Sequence, residues 1–124
     1  MSSNYKQEGD VIQYTATADI PAGKVIKIGN ILGVALVAIP NGSTGSVATK
    51  GVFTVPKVTT AVIAQGDALL WDVSALSGAG AFDAKSAPPA AGDIGGAAAY
   101  AFAAAGNGAT TLQVKFTGAP GTLT

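Results

Sequence analysis

Short runs of β-branched and aromatic residues, each closed by glycine or proline, follow one another from residue 10 to residue 117. Val11-Ile12-Gln13-Tyr14-Thr15 is dense in strand formers and follows Gly9. Pro21-Ala22-Gly23 makes a turn, after which Lys24-Val25-Ile26-Lys27-Ile28 reads as a strand ended by Gly29-Asn30. A second apolar run, Ile31 to Ile39, is stopped by Pro40-Asn41-Gly42, a strong turn signal. Ser46 to Val55 carry Val47, Val52, Phe53 and Val55 around Gly51, where the alternation slips by one residue. The pattern predicts one strand with a bulge at Gly51, ended or placed at a sheet edge by Pro56. Thr60 to Gln65 fit a single helical turn closed by Gly66, and Ala68 to Val73 another strand.

From Ser74 to Gly96 the chain is mostly Ser, Ala, Gly and Pro, which predicts a surface excursion with one weak strand around Phe82. Ala97 to Ala105 is rich in the best helix former, yet Tyr100 and Phe102 would point to nearly opposite sides of a helix and share one face of a strand. The segment therefore predicts a strand, hairpinned to Thr110 to Thr117, where Leu112, Val114 and Phe116 alternate with Gln113, Lys115 and Thr117. A three-residue loop at Gly106-Asn107-Gly108, with Gly108 left-handed, pairs Phe102 with Leu112, Tyr100 with Val114 and Ala98 with Phe116. That register puts every large apolar group on one face. Ala99, Ala101 and Ala103 then fall on the other, open to solvent or a partner subunit.

Short strands joined by glycine and proline turns, with no long amphipathic helix, predict an all-β chain: one small single-domain sandwich or barrel with at most one short helical turn. The expected division is an arm at residues 1 to 9, a β domain at 10 to 117 that includes the 74 to 96 excursion, and a tail at 118 to 124. Of 124 residues about half are apolar, but 25 are alanine, so the larger side chains suffice for one modest core.

Seven lysines balance seven carboxylates and there is no arginine, which removes the usual basis for nucleic-acid binding. The absence of cysteine and histidine removes disulfides, thiolate and imidazole metal ligands, and the commonest nucleophile and general base. No apolar run approaches the roughly 20 residues of a membrane helix, and polar Met1 to Asp10 does not resemble a signal peptide. No membrane association, cofactor or metal is expected. A near-neutral, charge-poor surface suits a chain that packs into an assembly.

The remaining candidate chemistry is thin. Gly23-Lys24-Val25 lacks the spacing of a phosphate loop. Asp67 and Asp72 flank one strand at a spacing of five, which places them on opposite faces as turn carboxylates. Asn41-Gly42-Ser43 matches a glycosylation sequon and equally a tight turn. Trp71, the single tryptophan, suits the core or a subunit contact. Active sites need convergent polar groups, so the composition points to a structural protein, not an enzyme.

Four motifs in order resemble the small capsid cement, or head decoration, proteins of tailed bacteriophages and prophages. They are Tyr5-Lys6-Gln7-Glu8-Gly9-Asp10-Val11-Ile12; Ala22-Gly23-Lys24-Val25-Ile26 leading to Gly33-Val34-Ala35; Thr49-Lys50-Gly51-Val52-Phe53-Thr54-Val55-Pro56-Lys57; and Gln65-Gly66-Asp67-Ala68-Leu69-Leu70-Trp71-Asp72. The resemblance implies a compact β domain on the outer surface of the capsid in the virion. It further implies a trimer, contact with the major capsid protein, and reinforcement of the head against internal DNA pressure. The polar arm Tyr5, Lys6, Gln7, Glu8 and Gly9 has two readings, a capsid-binding arm that reaches a neighbouring subunit to add a strand to an exposed sheet edge, or a frayed terminus. Trp71, Ala99, Ala101 and Ala103 are the candidate subunit contacts. The alternative is a phage tail or fibre module, or a surface-displayed β domain, which would bind tail components or a receptor instead of heads.

Overall fold

The computed structural model describes residues 10–85 and 87–124. The strands are β1 (Val11–Thr15), β2 (Val25–Ile28), β3 (Ile31–Ala35), β4 (Thr44–Ala48), β5 (Lys50–Pro56), β6 (Ala68–Asp72), β7 (Ala81–Ala84), β8 (Ile94–Ala101), β9 (Thr111–Thr117) and β10 (Thr122–Leu123). They form two curled antiparallel sheets, one ordered β1-β4-β3-β2 and the other β5-β9-β8-β6-β7, with β10 alongside β8. The fold is all-β, as the turn spacing predicts, and its one helical element among the described residues is a short turn at Leu76–Gly78.

The four-stranded sheet is covered on both faces over β2, β3 and β4, while β1 keeps one face exposed. Val25, Leu32 and Val34 face the main core, while Ile26, Ala35 and Val47 join Ala16, Ile20 and Ile39 in a smaller core on the far side. A strand buried on both faces has no reason to alternate, and this explains the unbroken apolar run from Ile31 to Ala35. Gly33 sits where β3 and β4 come closest: a β-carbon there would lie 2.6 Å from Val47 Cγ1 and 3.0 Å from the Ala48 carbonyl.

The six-stranded sheet curls until its edges meet. Lys57, just past β5, bridges to Phe82 of β7, and the Val58 N–H donates to the Phe82 carbonyl at 2.9 Å. Inside the curl the aromatic rings stack edge to face: Trp71 on Phe82 at 4.9 Å, Phe82 on Phe116 at 5.8 Å, and Phe116 on Phe53 at 5.9 Å between centroids. Such contacts add to the area already buried by these large side chains.

Several sequence expectations are corrected here. The 46–55 run is two strands, because the chain passes from one sheet to the other at Thr49. Gly51 is no bulge, since β5 pairs with β9 without interruption from Lys50↔Thr117 to Pro56↔Thr111. The slip in alternation marks a change of core, Val47 serving the small one and Val55 the large one. Thr60 to Gln65 form no helical turn. Two tight turns stand there instead, closed by Ala61 N–H to Val58 O at 3.0 Å and Asp67 N–H to Ala64 O at 3.1 Å. The strand expected around Phe82 is β7, and the 74–96 excursion ends earlier than expected because β8 starts at Ile94. Residues 122 and 123 pair with Gly95 and Ile94.

The final hairpin also takes another register. Ala99 pairs with Phe116, Tyr100 with Lys115 and Ala101 with Val114, and the Phe102 N–H donates to the Gln113 carbonyl. Tyr100 and Phe102 therefore face outward, while Ala98, Ala99 and Ala101 are buried. The cause lies outside the hairpin, because Trp71, Phe82, Phe53 and Phe116 fill the core and only methyl groups fit above them. Beyond Ala101 the hairpin splays to admit residues 57–67. Ile63 exchanges both backbone bonds with Ala105, Lys57 donates to Thr110 O, and the Gly108 N–H donates to Thr59 O at 2.7 Å. Gly106 to Ala109 close as a tight turn with Gly108 at φ +96°, a conformation that favours glycine.

Candidate interaction surface

Polar groups in the interior are used to hold loops. Lys57 is 1% exposed, and its Nζ donates to the carbonyls of Ala61 at 2.6 Å, Val58 at 2.7 Å and Thr59 at 3.3 Å. An ammonium has three N–H donors, so one lysine ties the wedge that opens the hairpin. Asp93, equally buried, accepts from the Val73 and Ala90 N–H groups and fixes the start of β8. Asp67 and Asp72 are turn carboxylates, the first accepting from the Ala64 N–H and the second from the Ser74 N–H and hydroxyl. No three carboxylate, cysteine or histidine groups among the described residues come together as a metal site.

The sequence candidates separate clearly. Tyr5, Lys6, Gln7, Glu8 and Gly9 lie outside the described residues. The chain after them is anchored: the Thr49 N–H donates to Asp10 O at 2.8 Å, and Lys50 Nζ stands 3.5 Å from Asp10 Oδ1. Trp71, Ala99 and Ala101 are largely buried within the single chain, although Ala99 still lines a surface depression beside Tyr100. Ala103 is half-buried beside the splayed tip.

What the outer face of the six-stranded sheet does present is aromatic. Tyr100 is 40% and Phe102 46% exposed, with Lys115 and Gln113 directly across on β9 and Val52 and Thr54 beyond on β5. Gln65 Nε2 donates to the Phe102 carbonyl at 3.2 Å and braces this edge. Beside Tyr100 the surface dips into a depression of 410 Å³ lined by Gly66, Ala68, Gly96, Ala97 and Ala99. It exists because none of those residues carries atoms beyond a β-carbon.

Among the other exposed apolar residues, Leu76 sits in the stretch that composition marks as a surface excursion. It is 53% exposed, and it and Ser77 have φ of +52° and +60°. The Gly78 N–H closes the turn on Ala75 O at 3.2 Å, so the chain makes the mirror-image turn that usually takes Asn-Gly at its centre. Asp72 stands at its foot, its carbonyl accepting from the Ala75 N–H. A lone leucine between Ala75 and Ser77 was the available signal for this feature.

Comparison with curated proteins gives no match to the chain. A family model described as phage cement protein matches residues 6–116, which takes in the final segment before β1 and both sheets up to β9. Such proteins are structural components of the phage capsid, not enzymes, and no helix among the described residues is long and apolar enough to cross a membrane. With nearly its whole length matched and an all-β fold whose interior polar groups serve to hold loops, the chain belongs to the phage cement protein family.

Proposed function

We propose that the protein binds the outer surface of the assembled phage head, contacts the major capsid protein there as a homotrimer, and stabilises the shell against the pressure of packaged DNA. The observation that carries this reading is the family match across residues 6–116. A ligand that binds the assembled lattice and not its free subunits stabilises the lattice by mass action. A trimer bridging several capsomers gains effective concentration at each added contact. The arm, Tyr5 to Gly9, contributes to attachment from its fixed point at Asp10.

The test is to mix the protein with purified heads lacking it and sediment them. Co-sedimentation at saturable stoichiometry, with heads that rupture at a higher temperature, is expected. Protein that stays in the supernatant with every form of the head would overturn the reading. Deleting residues 1 to 9 is expected to weaken co-sedimentation while leaving the thermal unfolding of the domain unchanged.

A further inference from the structure

The pair Asn-Gly occurs twice, at Asn41-Gly42 and Asn107-Gly108. In such a pair the glycine backbone nitrogen, with no side chain to hinder it, attacks the asparagine amide carbon. The new N–C bond forms, the bond to the amide nitrogen breaks, and ammonia leaves. Water then opens the cyclic imide to aspartate or isoaspartate, so the side-chain amide becomes a carboxylate and, in isoaspartate, the backbone gains a methylene. The attacking nitrogen must first give up its proton. A glycine N–H held in a good hydrogen bond is therefore protected, and whatever holds its acceptor in place controls the reaction.

The two sites have the same local form. Both asparagines are exposed, both glycines have positive φ, +83° at Gly42 and +96° at Gly108, and a bond closes each turn: Ser43 N–H to Pro40 O at 2.9 Å and Ala109 N–H to Gly106 O at 3.2 Å. They differ in what holds the glycine N–H. Gly42 donates at 2.8 Å to the carbonyl of Ala16, a residue of the small core. Gly108 donates at 2.7 Å to the carbonyl of Thr59, which belongs to the 57–67 wedge and also accepts from Lys57 Nζ at 3.3 Å.

We propose that Asn107 is a site of spontaneous deamidation gated by the wedge: the Thr59 carbonyl holds it shut, and lifting of residues 57–67 releases it. Ala105, Gly108 and Thr110 all bond to that one segment, so a single local opening frees the tip of the hairpin. Asn41 answers to a different opening, that of the small core. An isoaspartate at 107 lengthens the chain between Gly106 and Ala109, so the turn no longer closes on its former bond and the change is permanent.

The full-length protein is incubated without denaturant at mildly alkaline pH in heavy-oxygen water, so that oxygen taken up from water marks reaction during the incubation. Peptide mass spectrometry then reads Asn41 and Asn107 in the same sample. Both are expected to react at least about tenfold slower than in the chain unfolded in urea. Lys57→Met is expected to speed Asn107 at least about fivefold and to leave Asn41 within about twofold of the wild type, because it loosens only the wedge. Ile63→Val trims the buried residue that exchanges both backbone bonds with Ala105, and it is expected to act in the same direction should the methionine variant fail to fold. Asn107 reacting as fast in the native protein as in urea overturns the proposal. So does a folded wedge variant that speeds both sites alike or neither.

Discussion

Replacing Lys57 by methionine removes the one donor group that reaches all three carbonyls of the wedge while keeping the length of the side chain. Two of those carbonyls retain another partner, since Val58 O also accepts from the Ala61 N–H and Thr59 O from the Gly108 N–H. Among the described residues the Ala61 carbonyl has no other donor. One orphaned buried carbonyl costs about 1 to 3 kcal/mol. The opposing term is the dehydration of the ammonium, which its three hydrogen bonds already offset. The net expectation for Lys57→Met is therefore a loss of about 1 to 3 kcal/mol, and for a chain of this size a midpoint lowered by roughly 4 °C per kcal/mol. Urea unfolding followed by Trp71 fluorescence is the assay, because that residue is the single tryptophan and lies in the core. Protein concentration is held fixed so that self-association does not enter the comparison. Lys57→Arg is expected to be no better, since a planar fork does not match three carbonyls converging on one nitrogen. A methionine variant as stable as the wild type would refute the reasoning, showing the buried charge to be tolerated and not a tether.

Phe82→Ala, at the centre of the aromatic stack, is expected to cost about 3 to 5 kcal/mol, whereas Phe102→Ala should cost under about 1 kcal/mol. A urea series that ranks them the other way would restore the alternation-based register. Gly33→Ala forces a methyl into Val47 and the β4 backbone, and should destabilise by roughly 1 to 3 kcal/mol in the same assay. Ser77→Gly relieves one left-handed residue and should raise stability by about 1 kcal/mol, measurable as a higher melting temperature.

Local chemistry made much of this fold readable. Val11 to Thr15 and Val25 to Ile28 are strands because β-branched and aromatic residues are bounded there by glycine or proline, and Ala68 to Asp72 is a short apolar run set off by Gly66, signals that act over a few residues. The failures share one origin. Whether Ala101 or Phe102 points inward depends on how much core volume Trp71, Phe82 and Phe116 already occupy, and whether Gly51 is a bulge depends on which sheet each half of the segment joins. Neither fact is written within ten residues of the position concerned. The exposed surface was the least legible part, because Leu76 and the aromatic pair matter by being outside, and apolar residues carry no local mark that says so.

The segment that parts the tip of the last hairpin also bears on how the chain reaches its native state. Taken alone, β8 and β9 have two competing registers one residue apart, and the one that gathers Tyr100, Phe102, Leu112 and Val114 on a single face hides more grease at once. An isolated hairpin forms in microseconds, well before contacts spanning some forty residues of chain. The expected early pairing is then the wrong one, to be undone when residues 57–67 arrive to make their bonds with Ala105, Gly108 and Thr110. Refolding should show a slow phase that vanishes when Phe102 and Tyr100 are both replaced by threonine, since the decoy register then has nothing to offer.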